Sequence, residues 1–393
     1  MLVDGESVTE IRLNQEKGSD PSEPLYVARP IMPPLEEVMK LLERIWSTRI
    51  VTNEGPLHNR LESELSALLR VPVAKLFNNG TSGLQGALLA LDLPPGSEVI
   101  TTPLTFAATA HAITATGLKP VFADISEDTL TLDPASVERA VTPNTKAVLA
   151  VHVYGTLCDD EGLQAVCKAH GLKLIYDAAH AFASDRFGVS TAAMGDLSVF
   201  SLHATKLYNT FEGGIVTATD EGMAERLRLV RNFGIANENE VRLVGINGKM
   251  SEMNAAIGLL NLQLFETERA FRAQLRRDLD AIIAEFPGIR PQISQPGVKQ
   301  SEQYYAILVD TASGTNRDAI YDALKQRSIF SRKYFMPICT DFDCYKGETI
   351  YTAAESPVAD KVKDRVLCLP FHSGVQPHHL EVIASTLKDL VRR

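Results

Sequence analysis

"TKAVLAVHVYGTLCDDEGLQAVCKAHGLKLIYDAA", residues 145–179, decides how the chain is read. Two apolar runs, "TKAVLAVHVYG" and "LKLIYDAA", flank the helix-like "DEGLQAVCKAHG". Each run has few polar residues inside, as a strand covered on both faces requires. The second run ends in a carboxylate, Asp177, and His180 follows three residues later.

The same pattern extends in both directions. "VAKLFN", "SEVITTP" and "KPVFADI" precede it, and "DLSVFSL" and "GGIVTAT" follow. Helix-like stretches such as "TSGLQGALLALDL" separate most of them. The pattern predicts an α/β fold, a mainly parallel sheet with helices on both faces. Ligands of such sheets bind where loops leave the carboxyl ends of the strands.

Upstream, "PPLEEVMKLLERIWSTRIVT" and "LHNRLESELSALL" have helical spacing, and Gly55-Pro56 separates them. Downstream of "NGKM" lies a helical region rich in Leu, Ala, Arg and Glu. A smaller α+β segment then follows, with "QYYAILVD" and "RVLCLPF" as strands and "RDAIYDALKQR" and "PHHLEVIASTLKDLVRR" as helices. The expected organisation is a polar leader over 1–25, a large domain over 26–262 and a small C-terminal domain over 263–393.

Composition sets the outer bounds. The 393 residues exceed one ordinary core and suffice for two domains. A formal net charge of −10 argues against nucleic acid or an anionic membrane as main partner, since both need a basic face. Five cysteines without a CxxC pattern point to a reducing compartment. The polar leader has no apolar stretch of signal-peptide type, and no run approaches a membrane span. The expected location is the cytoplasm. Cys339 and Cys344 match no zinc spacing, and no metal is expected. Cys158 and Cys167 read as structural.

Four features at strand ends carry chemistry. "NNGTSGLQGALLAL" (Asn78–Leu91) is a strand end, a turn at Gly80 and a helix start, with Thr81 and Ser82 in the first helical turn. Unpaired first-turn amides and hydroxyls make an anion site there; a plain N-cap reads the same way. Phe106, in "PLTFAATAHA", stands at a loop-to-helix entry, where it stacks on a flat ligand or fills core. Asp177 can hold a protonated nitrogen charged; helix capping by Asp177, with His180 in the core, is the alternative. The fourth feature is "SLHATKLYNTFEGG" (Ser201–Gly214), which puts Lys206 between a strand and a glycine pair.

Together these meet the needs of pyridoxal 5′-phosphate. Its phosphate takes helix amides and hydroxyls, its ring an aromatic, its pyridine nitrogen an acid, and its aldehyde an amine. Lys206 is that amine, and Ser201 is placed to help hold the phosphate. His203 reads as a packing or backbone-bonded residue.

The chain resembles the DegT/DnrJ/EryC1/StrS family of sugar aminotransferases, within the fold type I pyridoxal phosphate enzymes. "NGTSGLQGAL", "TTPLTFAATAHAI", "YDAAHAF", "SLHATKLYNTFEGGI", "RNFG", "GINGKMSEMNAAIGL" and "VLCLPF" carry the resemblance. They cover most of residues 50–262 in the family's order, with a weaker match near 370. The resemblance implies that Lys206 is the Schiff-base lysine and Asp177 the partner of the pyridine nitrogen. It puts His180 where the family often has a glutamine contacting the cofactor's ring oxygen, and Phe106 where it has the stacking aromatic. Gly80, Thr81, Ser82 and Ser201 take the phosphate, and Asn247 is supplied to it by the neighbouring subunit. A homodimer with shared active sites is thereby implied.

Two departures stand out. Lys249 replaces an arginine of the family's substrate side and lacks its bidentate fork. "MPICTDFDCYKG" replaces a segment rich in His and Pro. Arg332 and Lys333, beside Tyr334, offer two cations to a nucleotide diphosphate; a solvated patch reads the same way.

The expected activity is transfer of an amino group from glutamate, leaving 2-oxoglutarate, to a nucleotide-diphosphate-linked keto sugar. The nearest flavour is a dTDP-4-keto-6-deoxyhexose transaminase of the viosamine kind. A dehydratase of the same family is the rival, but those members carry histidine in place of Lys206. A cofactor-binding regulator without turnover is the rival of another class.

Overall fold

The computed structural model describes residues 23–346 and 356–391. Residues 1–22 of the expected leader lie outside them. Seven strands form the central sheet: β1 (Val73–Phe77), β2 (Glu98–Thr101), β3 (Lys119–Phe122), β4 (Thr145–Val151), β5 (Lys173–Asp177), β6 (Leu197–Ser201) and β7 (Gly214–Ala218). Their spatial order is β1-β7-β6-β5-β4-β2-β3. The pairs from β3 to β6 are parallel, and β7 runs antiparallel to both β1 and β6.

The apolar runs are strands because both sheet faces are covered. Along β4, Val148 and Ala150 enter one core and Ala147 and Leu149 the other. Ala74 and Leu76 of β1 divide from Val73 and Phe77 in the same way. This is the two-residue period of a strand buried on both sides. The helix Pro56–Leu69 seals the first core through Leu57, Leu61 and Leu65. The helix Gly80–Ala90 seals the second through Leu84, Ala87 and Leu88. Each large apolar side chain so buried contributes about 1.5–3 kcal/mol.

A close approach of backbones explains the glycine at the head of β7. Gly214 pairs with Ser201 across the sheet. A Cβ on Gly214 would lie 2.7 Å from the carbonyl carbon of Asn79. Only glycine lets β7 pass so near the start of the Gly80–Ala90 helix.

The chain after the helix Glu252–Asn261 continues in the 19-residue helix Phe265–Ile283. Beyond it lies a separate antiparallel sheet of Ile289–Pro291, Tyr305–Val309 and Val366–Leu369. Helices Arg317–Gln326 and Pro377–Leu390 pack on this sheet, with Ile320, Leu324, Ile383 and Leu387 in the core. Leu25–Tyr26 pairs in parallel with Ile329–Phe330. Among the described residues, no helix is long and apolar enough to cross a membrane.

Candidate active site

The carboxyl ends of β4, β5 and β6 open into a cavity of about 350 Å³. Gly80, Thr81, Phe106, Asp177, His180, Ser201 and Lys206 all line it. Strand ends, a helix start and loops thus bring seven residues from four segments to one place.

Asp177 ends β5 and is buried. Burial raises its pKa above the usual carboxylate value, and donors offset only part of that rise. Thr109 donates to Oδ2 at 2.8 Å, the Ala179 N–H donates to Oδ1 at 3.1 Å, and the Lys206 charge adds to both. The chain beyond Asp177 runs in turns rather than a helix, and these turns bring His180 to the same cavity.

The Tyr154 N–H donates to Nδ1 of His180 at 3.2 Å. That nitrogen is therefore an acceptor, and the neutral ring carries its proton on Nε2. Burial, then the nearby Lys206 charge, holds the ring neutral well below the usual histidine range. Phe335 lies parallel to it at 6.0 Å, and Tyr304 meets it edge-on at 4.9 Å. His180 thus offers a fixed N–H donor.

Lys206 sits in the loop between β6 and β7. Its Nζ lies 5.7 Å from the Tyr304 ring centroid. Burial lowers its pKa to about 8, against the pull of Asp177. The buried Gln303 side chain grips the loop on both sides of the lysine. It accepts from the Leu207 N–H at 2.7 Å and donates to the Thr205 carbonyl at 3.1 Å. At physiological pH the amine is therefore mainly the ammonium with a neutral fraction on the order of one in five, and its backbone is fixed.

The helix Gly80–Ala90 points its start at the cavity. Asn79 caps it: its side chain accepts the Ser82 N–H at 2.7 Å, and the Ser82 hydroxyl accepts the Asn79 N–H at 3.3 Å. Ser82 also donates to Asn78. Ser82, expected at the phosphate, is the residue that this cap engages. Its hydroxyl and its N–H both serve the cap, and Gly80, Thr81 and Ser201 are left to line the cavity. A Cβ on Gly80 would come within 2.9 Å of Ser201 Cβ, so a glycine keeps that cradle open.

Phe106 is the N-cap of the helix Ala107–Ala115 and is 62% exposed, so it does not fill core. The structure does not bring the remaining expected residues to this cavity. Asn247 and Lys249 lie outside it, with Lys249 Nζ on Asn247 Oδ1 at 2.7 Å. Lys333 is bound to Asp318 at 2.6 Å and lies over the Tyr321 ring. Arg332 is exposed and also outside.

Tyr304, Tyr334 and Phe335 close the cavity from the C-terminal segment, and His203, Thr205 and Glu212 line it as well. Sequence reasoning named Tyr334 only as the neighbour of Arg332 and Lys333 and did not name Tyr304 or Phe335, because aromatics beside a strand read as core. His203, read as a packing residue, has Nε2 3.6 Å from Glu212.

These groups fit pyridoxal phosphate. An amine with a depressed pKa, a buried carboxyl with a donor on each oxygen, a fixed N–H donor and a glycine-cleared helix start share one cavity. The same set would be a poor site for a metal, and among the described residues no His, Cys, Asp and Glu gather as metal ligands.

A model of the DegT/DnrJ/EryC1/StrS aminotransferase family matches residues 35–388. The chain is 40% identical over 369 residues to the dTDP-4-amino-4,6-dideoxy-D-glucose transaminase of Shigella dysenteriae, covering 93% of this chain and 99% of that protein. It is 39% identical over 366 residues to the protein of the same name from Escherichia coli, covering 93% and 97%. It superposes on the crystal structure of DesI with its TDP-sugar product at a TM-score of 0.88 and 35% identity, with 93% of each chain covered.

Proposed function

This chain belongs to the DegT/DnrJ/EryC1/StrS aminotransferase family, and from that premise we propose that it aminates dTDP-4-keto-6-deoxy-D-glucose at C4, with glutamate as donor. It is a pyridoxal phosphate-dependent transaminase of a nucleotide-linked sugar. The identity of about two residues in five with two transaminases of this name, over nearly their whole length, carries the choice of sugar.

Bound pyridoxal phosphate supplies an aldehyde carbon to carry the amino group and a ring to take up electrons. The chain's own residues do the rest. Lys206 would hold the cofactor through its amine, and once released that amine would serve as base at the donor α-carbon. A pKa near 8 suits that work, because the neutral amine accepts a proton and the ammonium returns it. In the second half, Lys206 would deliver a proton to C4 of the sugar, which gains a hydrogen as its ketone becomes an amine. Asp177 holds the ring nitrogen protonated, and His180 donates its Nε2–H to the ring oxygen. Gly80, Thr81 and Ser201 take the phosphate, and Phe106 covers the ring. Tyr304, Tyr334 and Phe335 exclude water from one side.

The reading includes a homodimer in which Asn247, with Lys249 beside it, reaches the partner's cavity. Phe233, Val241 and Val244, in the segment before Asn247, are exposed apolar side chains that a partner would cover. We keep 26–262 and 263–393 as the two domains. A cytoplasmic location accords with five free cysteines.

The test is direct. The enzyme, converted to its pyridoxamine form with glutamate, is offered dTDP-4-keto-6-deoxy-D-glucose and nucleotide-linked sugars bearing the ketone at C3. NMR of the product identifies the aminated carbon. Amination at C3 alone, or of none of these sugars, would overturn the substrate proposal.

A further inference from the structure

Asp177 is held from a second element as well as its own. Thr109, on the helix Ala107–Ala115, donates to Oδ2 at 2.8 Å. Thr105 Oγ1 lies 2.8 Å from the same Thr109 hydroxyl. Both threonines are buried, and Thr105 lines the cavity. Taken alone, either hydroxyl of that pair can be the donor. The carboxylate removes the ambiguity. An ionised Asp177 only accepts, so the single proton of Thr109 goes to it, and the Thr109 oxygen must receive the proton of Thr105. The chain of donors runs Thr105 to Thr109 to Asp177.

The helix that presents Thr109 begins at Phe106, and the Thr109 N–H donates to the Phe106 carbonyl at 3.2 Å. One helical turn therefore carries the ring's expected cover and the hydroxyl that holds its expected acid partner. Each Asp177 oxygen has one protein donor, Ala179 on Oδ1 and Thr109 on Oδ2. Each oxygen keeps a further lone pair for the cavity.

We propose that Thr109 is a positioning residue for recognition of the protonated ring nitrogen: its hydroxyl, backed by Thr105, keeps Asp177 ionised and fixes where its free lone pairs point. This rests on the reading of Asp177 as partner of that nitrogen. Hydrogen bonds to a carboxylate favour its charged form, and a buried charge depends on them strongly.

The test uses apoprotein and two ligands that cannot link covalently to Lys206. They are pyridoxamine 5′-phosphate and its analogue with carbon in place of the ring nitrogen. Wild type prefers the nitrogen ring. Thr109→Val reduces that preference by roughly tenfold, the scale of one hydrogen bond to a charged group. Thr109→Ser restores it, and Thr109→Ala repeats the loss should the valine chain fail to fold. An unchanged preference, whether both affinities fall together or neither falls, would overturn the role of Thr109. Asp177→Asn separates the two readings: it abolishes the preference if Asp177 meets the nitrogen, and an intact preference in that variant would sink the assignment of Asp177 itself.

Discussion

The ammonium of Lys249 donates to Oδ1 of Asn247 at 2.7 Å, on the outside of the cavity that their own chain forms. That loop is tied down from behind. The Gly248 N–H donates to the Arg231 carbonyl at 2.9 Å, and the Asn78 N–H donates to the Gly248 carbonyl at 2.7 Å. A polar pair held rigidly at the surface is suited to a site on another chain. A mixture of inactive Lys206→Ala chains and inactive Asn247→Asp chains should therefore regain activity. Random pairing gives one working site in half of the dimers, so roughly a quarter of the wild-type rate per chain is expected. No recovery despite heterodimers demonstrated by mass spectrometry would place the whole site within one chain.

Asp177→Asn should retain cofactor and lose most of the rate, on the order of 100-fold or more, since a neutral amide does not hold the ring nitrogen charged. Asp177→Glu should lose less. Steady-state kinetics with glutamate checks both, and near-normal turnover by the Asn variant would refute the role.

The seven central strands are legible as apolar runs because both faces of the sheet are covered. The direction of β7 is not, because an apolar run carries no arrow; its reversal is visible only in its antiparallel pairing with β1 and β6. Lys206, Asp177 and Phe106 could be named because polar or aromatic residues at strand ends have few structural reasons to be there. Tyr304 and Phe335 could not, since only the fold carries them to His180. For Ser82, "NNGTS" reads as a phosphate contact and as a helix cap alike, and the structure shows its hydroxyl and N–H in the cap. Asn79 followed by a hydroxyl three residues on is a reciprocal cap, and that signal was present. Thr109 and Asp177, 68 residues apart, leave no local trace of their bond.

Arg231 is buried and binds Glu62 at 2.6 Å, the Leu76 carbonyl at 2.7 Å and His58 at 3.1 Å. Burial pushes the Glu62 carboxyl up, but Arg231, His58 and Lys75 together hold it below the usual value. Arg231→Leu leaves that carboxylate short of its main partner and should cost roughly 3 kcal/mol. Urea denaturation of the apoprotein at pH 7 reads this loss. The wild-type contribution of Glu62 is present above the ordinary carboxylate range and fades as pH falls through its lowered value. A variant as stable as wild type would show the network to be dispensable.

Lys206 should make the apoprotein less stable at neutral pH. Its pKa falls from 10.5 to about 8 on folding, so between those values the unfolded chain binds more protons. Stability then rises with pH across that window, and below it the cost is complete, on the order of 3 kcal/mol at most. Lys206→Met should raise the apo Tm at pH 7, and the gap should narrow toward pH 10. A constant gap would mean that the lysine is not depressed.

The most direct measurement is borohydride reduction of the holoenzyme, followed by tryptic digestion and mass spectrometry. The account expects the reduced cofactor on Lys206, in a peptide spanning residues 187–226 because the modified lysine resists cleavage. Lys206→Ala should give no label. Label on any other lysine, or none on a chain that turns over, would contradict it.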